Sequence, residues 1–310
     1  MVFTFTPTGS WKFVKPPQII EETSFGVPPA APAFALVGNV TELTPNAGIE
    51  KQSDRTLGTA LISSQTKLMN TDTSSIGFKV WPSLGVDFLK RVMNPADPDA
   101  PAGNNGSSFT LAYSQKVDGT EVYTALVGTK ISTGSLEISK DGGLMVNAEM
   151  QSYRIYEGLA DLTSIGITTP TYKAVADYPA ELPWSSLTGG VDPFTLDAVS
   201  VPVDRIKFDV NHNLVADSPN GSDGVEFLEA SLRDVTFDFD TWYRNAALFD
   251  YLRDQDIVDA TYVLQALPTP AITATVSDAQ FDTRDISHPA AEAAHSKEAM
   301  VATAKDFVIA

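Results

Sequence analysis

Cysteine is absent from this 310-residue chain. Disulfide scaffolds, thiolate metal sites and cysteine nucleophiles are therefore excluded, since each needs a sulfur. Positive charge is scarce: 21 Lys plus Arg face 39 Asp plus Glu, for a formal net charge of −18. A nucleic-acid binder working through a basic surface is not expected, because phosphate neutralisation needs net positive patches. No apolar run approaches the ~18 residues of a membrane span. Met1 to Pro17 lacks the basic region and apolar core of a signal peptide, and its Phe3 and Phe5 alternate with Thr4 and Thr6 as in a short strand. Histidine is nearly missing, with only His212, His288 and His295. None stands beside a G-x-S-x-G nucleophile motif, and the spacing of the last two is not that of a helical zinc pair. Surface or hydrogen-bonded histidines are expected instead of bases or ligands.

What is present is enough to fold. A chain of this length suggests about two domains of ~150 residues, and 43% hydrophobic residues can fill real cores. Charge divides unevenly: residues 1–155 hold 14 acids and 12 bases, whereas 156–310 hold 25 acids and 9 bases. Self-repulsion for solubility, adaptation to concentrated salt, and a surface that repels another polyanion all fit this split. Period-two alternation dominates both halves. Ile76, Phe78 and Val80 alternate with polar or small residues, as do Phe109, Leu111 and Tyr113, and Leu144, Val146, Ala148 and Met150. Ile206, Phe208 and Val210 follow the same rule, as do Val235, Phe237 and Phe239, and Ile272, Ala274 and Val276. Each run has one apolar and one polar face, as antiparallel sandwich or barrel strands require. Turn signals such as Asp118-Gly119, Asp141-Gly142-Gly143 and Pro219-Asn220-Gly221 separate them.

Two segments read as helices, Leu84 to Met93 and Ala246 to Gln255, each with one apolar stripe. Residues 290–304 have a helix-favouring, Ala-rich composition. Aligning the two helices exposes a repeat: strands, a Trp, a short gap, the helix, then further strands. This predicts an N-terminal arm at 1–32, a first β domain at 33–157, a linker at 158–193 and a second β domain at 194–310. The linker holds Pro170, Pro179, Pro183 and Pro193. Gly26 to Pro32 reads as an extended, polyproline-like stretch, and Asp97 to Ser108 as a long polar loop of functional or mobile type.

The catalytic inventory is thin. Asp209-x-Asn211-x-Asn213 starts like a calcium loop, but Leu214 replaces the required Gly and Asn220 the closing Glu. Gly142-Gly143 has no following lysine and reads as a hairpin turn, not a phosphate cradle. Asn105-Gly-Ser and Asn220-Gly-Ser match glycosylation acceptors, a pattern common by chance. Trp81, Trp242, Tyr243 and Phe249 flank the helices and are expected to pack in the core. No catalytic, cofactor-binding or metal-binding residue is assigned. The residues point to an acidic, two-unit, β-rich protein with a structural or assembly role.

The order of features resembles the tail tube proteins of long-tailed phages and archaeal viruses. Glu21 to Pro28 (EETSFGVP) looks like the arm near the start of that family, and Arg55 followed by LGVDFLKRV looks like its strands with one packing helix. Thr133 to Ile138 followed by Gly143 to Glu149 is similar to the paired strands that close its domain. Val203 to Leu214 and Leu228 to Phe239 resemble the same strands in a second unit. The resemblance covers roughly residues 18–300. It implies a mainly β fold of two tandem tail-tube-type β-sandwich or barrel domains, each with one packing helix. It also implies a non-enzymatic virion protein, made in the host cytoplasm, whose rings stack into a tail tube. A duplicated chain would form a three-subunit, pseudo-sixfold ring, with a hexamer as the alternative. Partners would be other copies, tape-measure and terminator or baseplate proteins, and genomic DNA that passes without specific binding. No cofactor and no membrane are implied. Asp238 and Asp240 are the candidate acids facing the lumen. Glu21, Glu22, Phe25, Asp97 and Asp99 are the candidate contacts between rings. A virion decoration protein or cell-surface β-sandwich is the alternative reading.

Overall fold

The computed structural model describes residues 13–55, 62–70, 72–81, 84–94, 108–139, 143–174, 177–178, 194–217, 227–230, 232–242, 247–264, 272–287 and 296–310. The chain is mainly β. In the first half the strands are β1 (Phe13–Glu21), β2 (Ala35–Leu36), β3 (Asn39–Asn46), β4 (Ile49–Arg55), β5 (Ile62–Asn70) and β6 (Asp72–Lys79). Helix α1 (Val86–Met93) follows, then β7 (Phe109–Val117), β8 (Thr120–Ser139), β9 (Gly143–Ser152) and β10 (Arg154–Leu159). The second half has β11 (Phe194–Leu196), β12 (Val199–Ser200), β13 (Val203–Asn211), β14 (Leu214–Asp217), β15 (Phe227–Ala230) and β16 (Asp234–Trp242). It closes with α2 (Ala247–Asp254), β17 (Val258–Leu264), β18 (Ile272–Ser287) and β19 (Lys297–Ile309).

The two halves repeat the same antiparallel topology. The first runs β3-β6-β9-β8-β7-β1-β2 and the second β13-β16-β19-β18-β17-β11-β12. Residue identity between them is poor, yet the irregularities coincide. The register shift between Val40 and Glu42 in β3 recurs between Val203 and Arg205 in β13. That between Ile131 and Thr133 in β8 recurs between Phe281 and Thr283 in β18. That between Phe109 and Leu111 in β7 recurs between Val258 and Ala260 in β17. Gly128 in β8 has φ 65°, and its counterpart in β18, Asp278, has φ 51°. Bulges re-aim strands and cost ladder bonds, so four shared markers in register identify a duplication that side-chain identity hides.

The long strands β8 and β18 join two layers. The first part of β8 pairs with β7 and β10, and its second part with β9. The kink lies at Gly128, where an added Cβ would meet Tyr153 Cβ at 2.5 Å. Alternate residues turn inward to one core containing Phe78, Phe88, Leu136 and Val146 of the first unit and Phe208, Phe237, Phe239 and Phe307 of the second. Helix α1 adds Phe88, Leu89, Val92 and Met93 to that core, and packs so closely that a Cβ on Gly134 would meet Val92 Cγ1 at 2.6 Å.

Four sequence expectations change. The described part of the Ala-rich segment is not helical: Lys297–Ile309 is strand β19, paired with β16 and β18. Met300, Ala302, Ala304, Phe307 and Ile309 point inward, and two neighbouring strands outweigh alanine's helix propensity. Residues 13–21 of the expected arm are strand β1. Trp242 is 42% exposed, not in the core, and its indole N–H donates to Asp204. The start of the expected linker packs back on the first unit. Gln18 is fully buried and exchanges two hydrogen bonds with the Lys173 backbone, at 2.8 and 2.7 Å.

Candidate functional site

The halves meet strand to strand. Thr133–Ser139 of β8 pairs with β13 from Asn211 back to Arg205. This ladder turns the two units into a continuous sheet of eight strands, β3-β6-β9-β8-β13-β16-β19-β18. One face of that sheet carries the core. The other carries the polar members of each alternation, and holds an open depression of about 440 Å³ lined by residues including Glu42, Gly77, Thr133, Asn147, Glu149, Asp209 and Asp234.

Asp238 and Asp240 lie on this polar face, since Val235, Phe237 and Phe239 of the same strand are buried. They are not bare charges. Arg205 binds Glu137 at 3.0 Å and Asp238 at 2.6 Å, and lies 3.9 Å from Asp240. Burial works against the Arg205 charge, but the hydrogen bonds and charges of Glu137 and Asp238 outweigh it and hold its pKa above the ordinary value. Burial pushes the Asp238 carboxyl up, against the pull of Arg205 and Lys207, and nearby Asp209 adds to the rise. Lys207 is engaged by Asp209 at 2.5 Å. Around the depression Glu42, Glu149 and Asp234 add further acids, so this face stays negative after Arg205 and Lys207 are paired.

The expected ring contacts divide. Glu21 is 68% exposed in its side chain and pairs with Arg91 of α1. Phe25 packs edge-on against Tyr153, with ring centroids 6.1 Å apart. Glu22 is 5% exposed, and its carboxylate accepts from Ser108 Oγ (2.6 Å), Thr110 Oγ1 (2.6 Å), Gly128 N (2.7 Å) and Gly26 N (2.8 Å). Four internal donors enclose it, so the side chain holds the chain's own turn and presents nothing outward. Asp97 and Asp99 lie outside the described residues, as do Phe3, Phe5, His288 and His295.

A junction that sequence reasoning missed sits at the C-terminal end of α1. His212 Nε2 donates to Val92 O at 2.9 Å. Arg233 donates to Met93 O (2.5 Å) and Phe307 O (2.7 Å) and pairs with Asp306 (3.1 Å). Asn94 exchanges two hydrogen bonds with Ile309, at 2.9 and 2.6 Å. Helix carbonyls of the first unit are thus satisfied by the second. Each residue is isolated in sequence, so no local motif marks the set.

Among the described residues no group of three His, Asp or Glu is placed to hold a metal, and no helix is long and apolar enough to cross a membrane. A family model described as phage tail tube protein matches residues 18–303. No curated protein matches the chain.

Proposed function

The chain belongs to the phage tail tube protein family, and we propose that three copies close into a ring whose stacked repeats form a conduit for the genome. It is a structural tail protein. The observation that carries the ring is the strand-to-strand seam between β8 and β13. It joins two copies of one fold edge to edge inside a single chain, and a heterologous contact of that kind repeated with rotation makes a ring.

Two units in each chain favour three chains over six for a sixfold arrangement of units. Eight strands from each of three chains give a wall of 24. At ~4.8 Å per strand such a barrel is about 37 Å across untilted and about 52 Å at 45° tilt. Six chains would make it about twice as wide. The polar face is the lumen in this reading, with Asp238, Asp240 and the acids of the depression lining it. A polyanion slides past a wall that repels it, and two cations of that wall, Arg205 and Lys207, are held by Glu137, Asp238 and Asp209. Glu21, Phe25, Asp97 and Asp99 are left to contact the next ring. Tape-measure, terminator and baseplate proteins would meet the ends of the stack, and the assembled protein would reside in the virion tail.

Negative-stain microscopy of the purified protein across a range of salt tests this reading. Hollow tubes are expected. Monomers at every salt and protein concentration would contradict it and favour a decoration or surface-binding role.

A further inference from the structure

A second apolar cluster lies apart from the main core and belongs to the first unit. Phe34, Ala112, Tyr123, Ala125 and Val127 form its sheet side, on the outer face of β7 and β8. Residues 160–174, at the start of the expected linker, run across this face and bury Leu162 and Ile167 against it. The registers of β7 on β8 and of β17 on β18 match Ala112, Tyr123, Ala125 and Val127 to Thr261, Thr273, Thr275 and Ser277. The outer face is thus apolar in the unit that carries the segment and hydroxyl-bearing in the other.

The same segment closes a sheet edge. Strand β2 ends the strand order on this side. Phe34 N donates to Thr171 O (3.0 Å) and Thr171 N to Pro32 O (2.8 Å), a parallel bridge along that edge. Thr168 N and Thr169 N both donate to Ala30 O, at 2.8 and 3.2 Å. Gln18 holds the Lys173 backbone through its side-chain amide. Tyr172 stacks on Phe34 with ring centroids 5.3 Å apart. Lys15 Nζ lies 4.1 Å from the centre of the Tyr172 ring and 3.4 Å from the Glu121 carboxylate.

We propose that residues 160–174 are an intramolecular clasp that keeps the outer layer of the first unit from pairing with other chains. An unpaired edge beside an exposed apolar face is a template for aggregation. The clasp removes both features at once: Thr171 fills the edge, and Leu162, Ile167 and Tyr172 roof the face. The second unit meets the same hazard differently. It puts hydroxyls on the face and Pro202 just after its edge strand β12. Self-association is then left to the inner, eight-stranded layer.

The test uses the full chain, unassembled, at low salt, so it stands or falls apart from the ring reading. The double variant Gln18→Ala, Tyr172→Ser removes two fastenings and leaves the main core alone, because that core is a separate cluster. Hydrogen exchange at the amides of Thr168, Thr169, Thr171 and Lys173 should speed up about a hundredfold, while the amides of β16 keep their protection. Thioflavin T-positive aggregates should then form at about a tenth of the concentration the wild type needs. Adding Ala35→Lys, a charge at an exposed position of the edge strand, should restore the wild-type threshold. Four results overturn the proposal. Faster exchange without extra aggregation would leave a cover that guards nothing. Unchanged exchange would mean that Gln18 and Tyr172 do not fasten the segment. Aggregation that Ala35→Lys leaves unaltered would rule out the edge as the recruiting element. Loss of protection in β16 along with the segment would make it an ordinary part of the core.

Discussion

Glu22 shows what a single residue does here. Its carboxylate gathers the end of β1, the turn at Gly26, the start of β7 and the kink of β8. Glu22→Gln keeps the shape but turns one oxygen into a donor facing donors. The expected loss is about 2–3 kcal/mol in urea unfolding, the scale for hydrogen bonds to a charged group. His212 gives a pH signature. Burial, with Arg233 nearby, holds its pKa below the ordinary 6.5, although the Val92 hydrogen bond opposes this. The unfolded chain therefore binds the proton more readily than the folded one. Stability from this group is complete above pH 6.5 and declines as pH falls from 6.5 toward the lowered folded value, by up to about 1.4 kcal/mol per unit. His212→Gln should remove that slope in unfolding measurements between pH 7 and 5, relative to the wild type. Neither role was legible in the sequence. EETSFG shows an acid in an exposed-looking arm, and burial by Ser108, Thr110 and Gly128 depends on strands about a hundred residues away.

At the scale of elements, alternation carried most of the information. The runs around Ile76, Phe109, Leu144, Ile206, Val235 and Ile272 are strands β6, β7, β9, β13, β16 and β18, and the two amphipathic segments are α1 and α2. Composition failed where it spoke alone, at residues 297–304 of the Ala-rich segment, which lie in β19. The repeat already pointed the other way, because the first-unit counterpart of β19 is Leu144 to Met150, an alternating strand. Which strands neighbour each other was not legible, since alternation gives a face and no partner. For that reason the junction at the end of α1 was missed. Arg233→Ala would leave the Met93 and Phe307 carbonyls without that donor. It is expected to cost about 3 kcal/mol in denaturant unfolding, with the loss reported equally by probes in both units because they share one core.

At the scale of the molecule, acidity and duplication combine into one design. A net charge of −18 opposes assembly at low salt, while the edge strands favour it. The proposed lumen makes a charge prediction. Tubes of wild-type protein should retain no DNA at moderate salt. Tubes carrying Asp234→Lys and Glu149→Lys should retain it, in a sedimentation assay, with binding that fades as salt rises. Retention by the wild type would place cations, not acids, along the bore. The central claim is that one chain supplies two of the six places in a ring and that its sheet continues into the next chain. Cryo-electron microscopy of the assembled tube tests this most directly. The expected map has three chains per ring, each filling two of six similar places, with its sheet continuing into that of its neighbour. Six chains per ring, or rings whose neighbouring sheets do not touch, would contradict it.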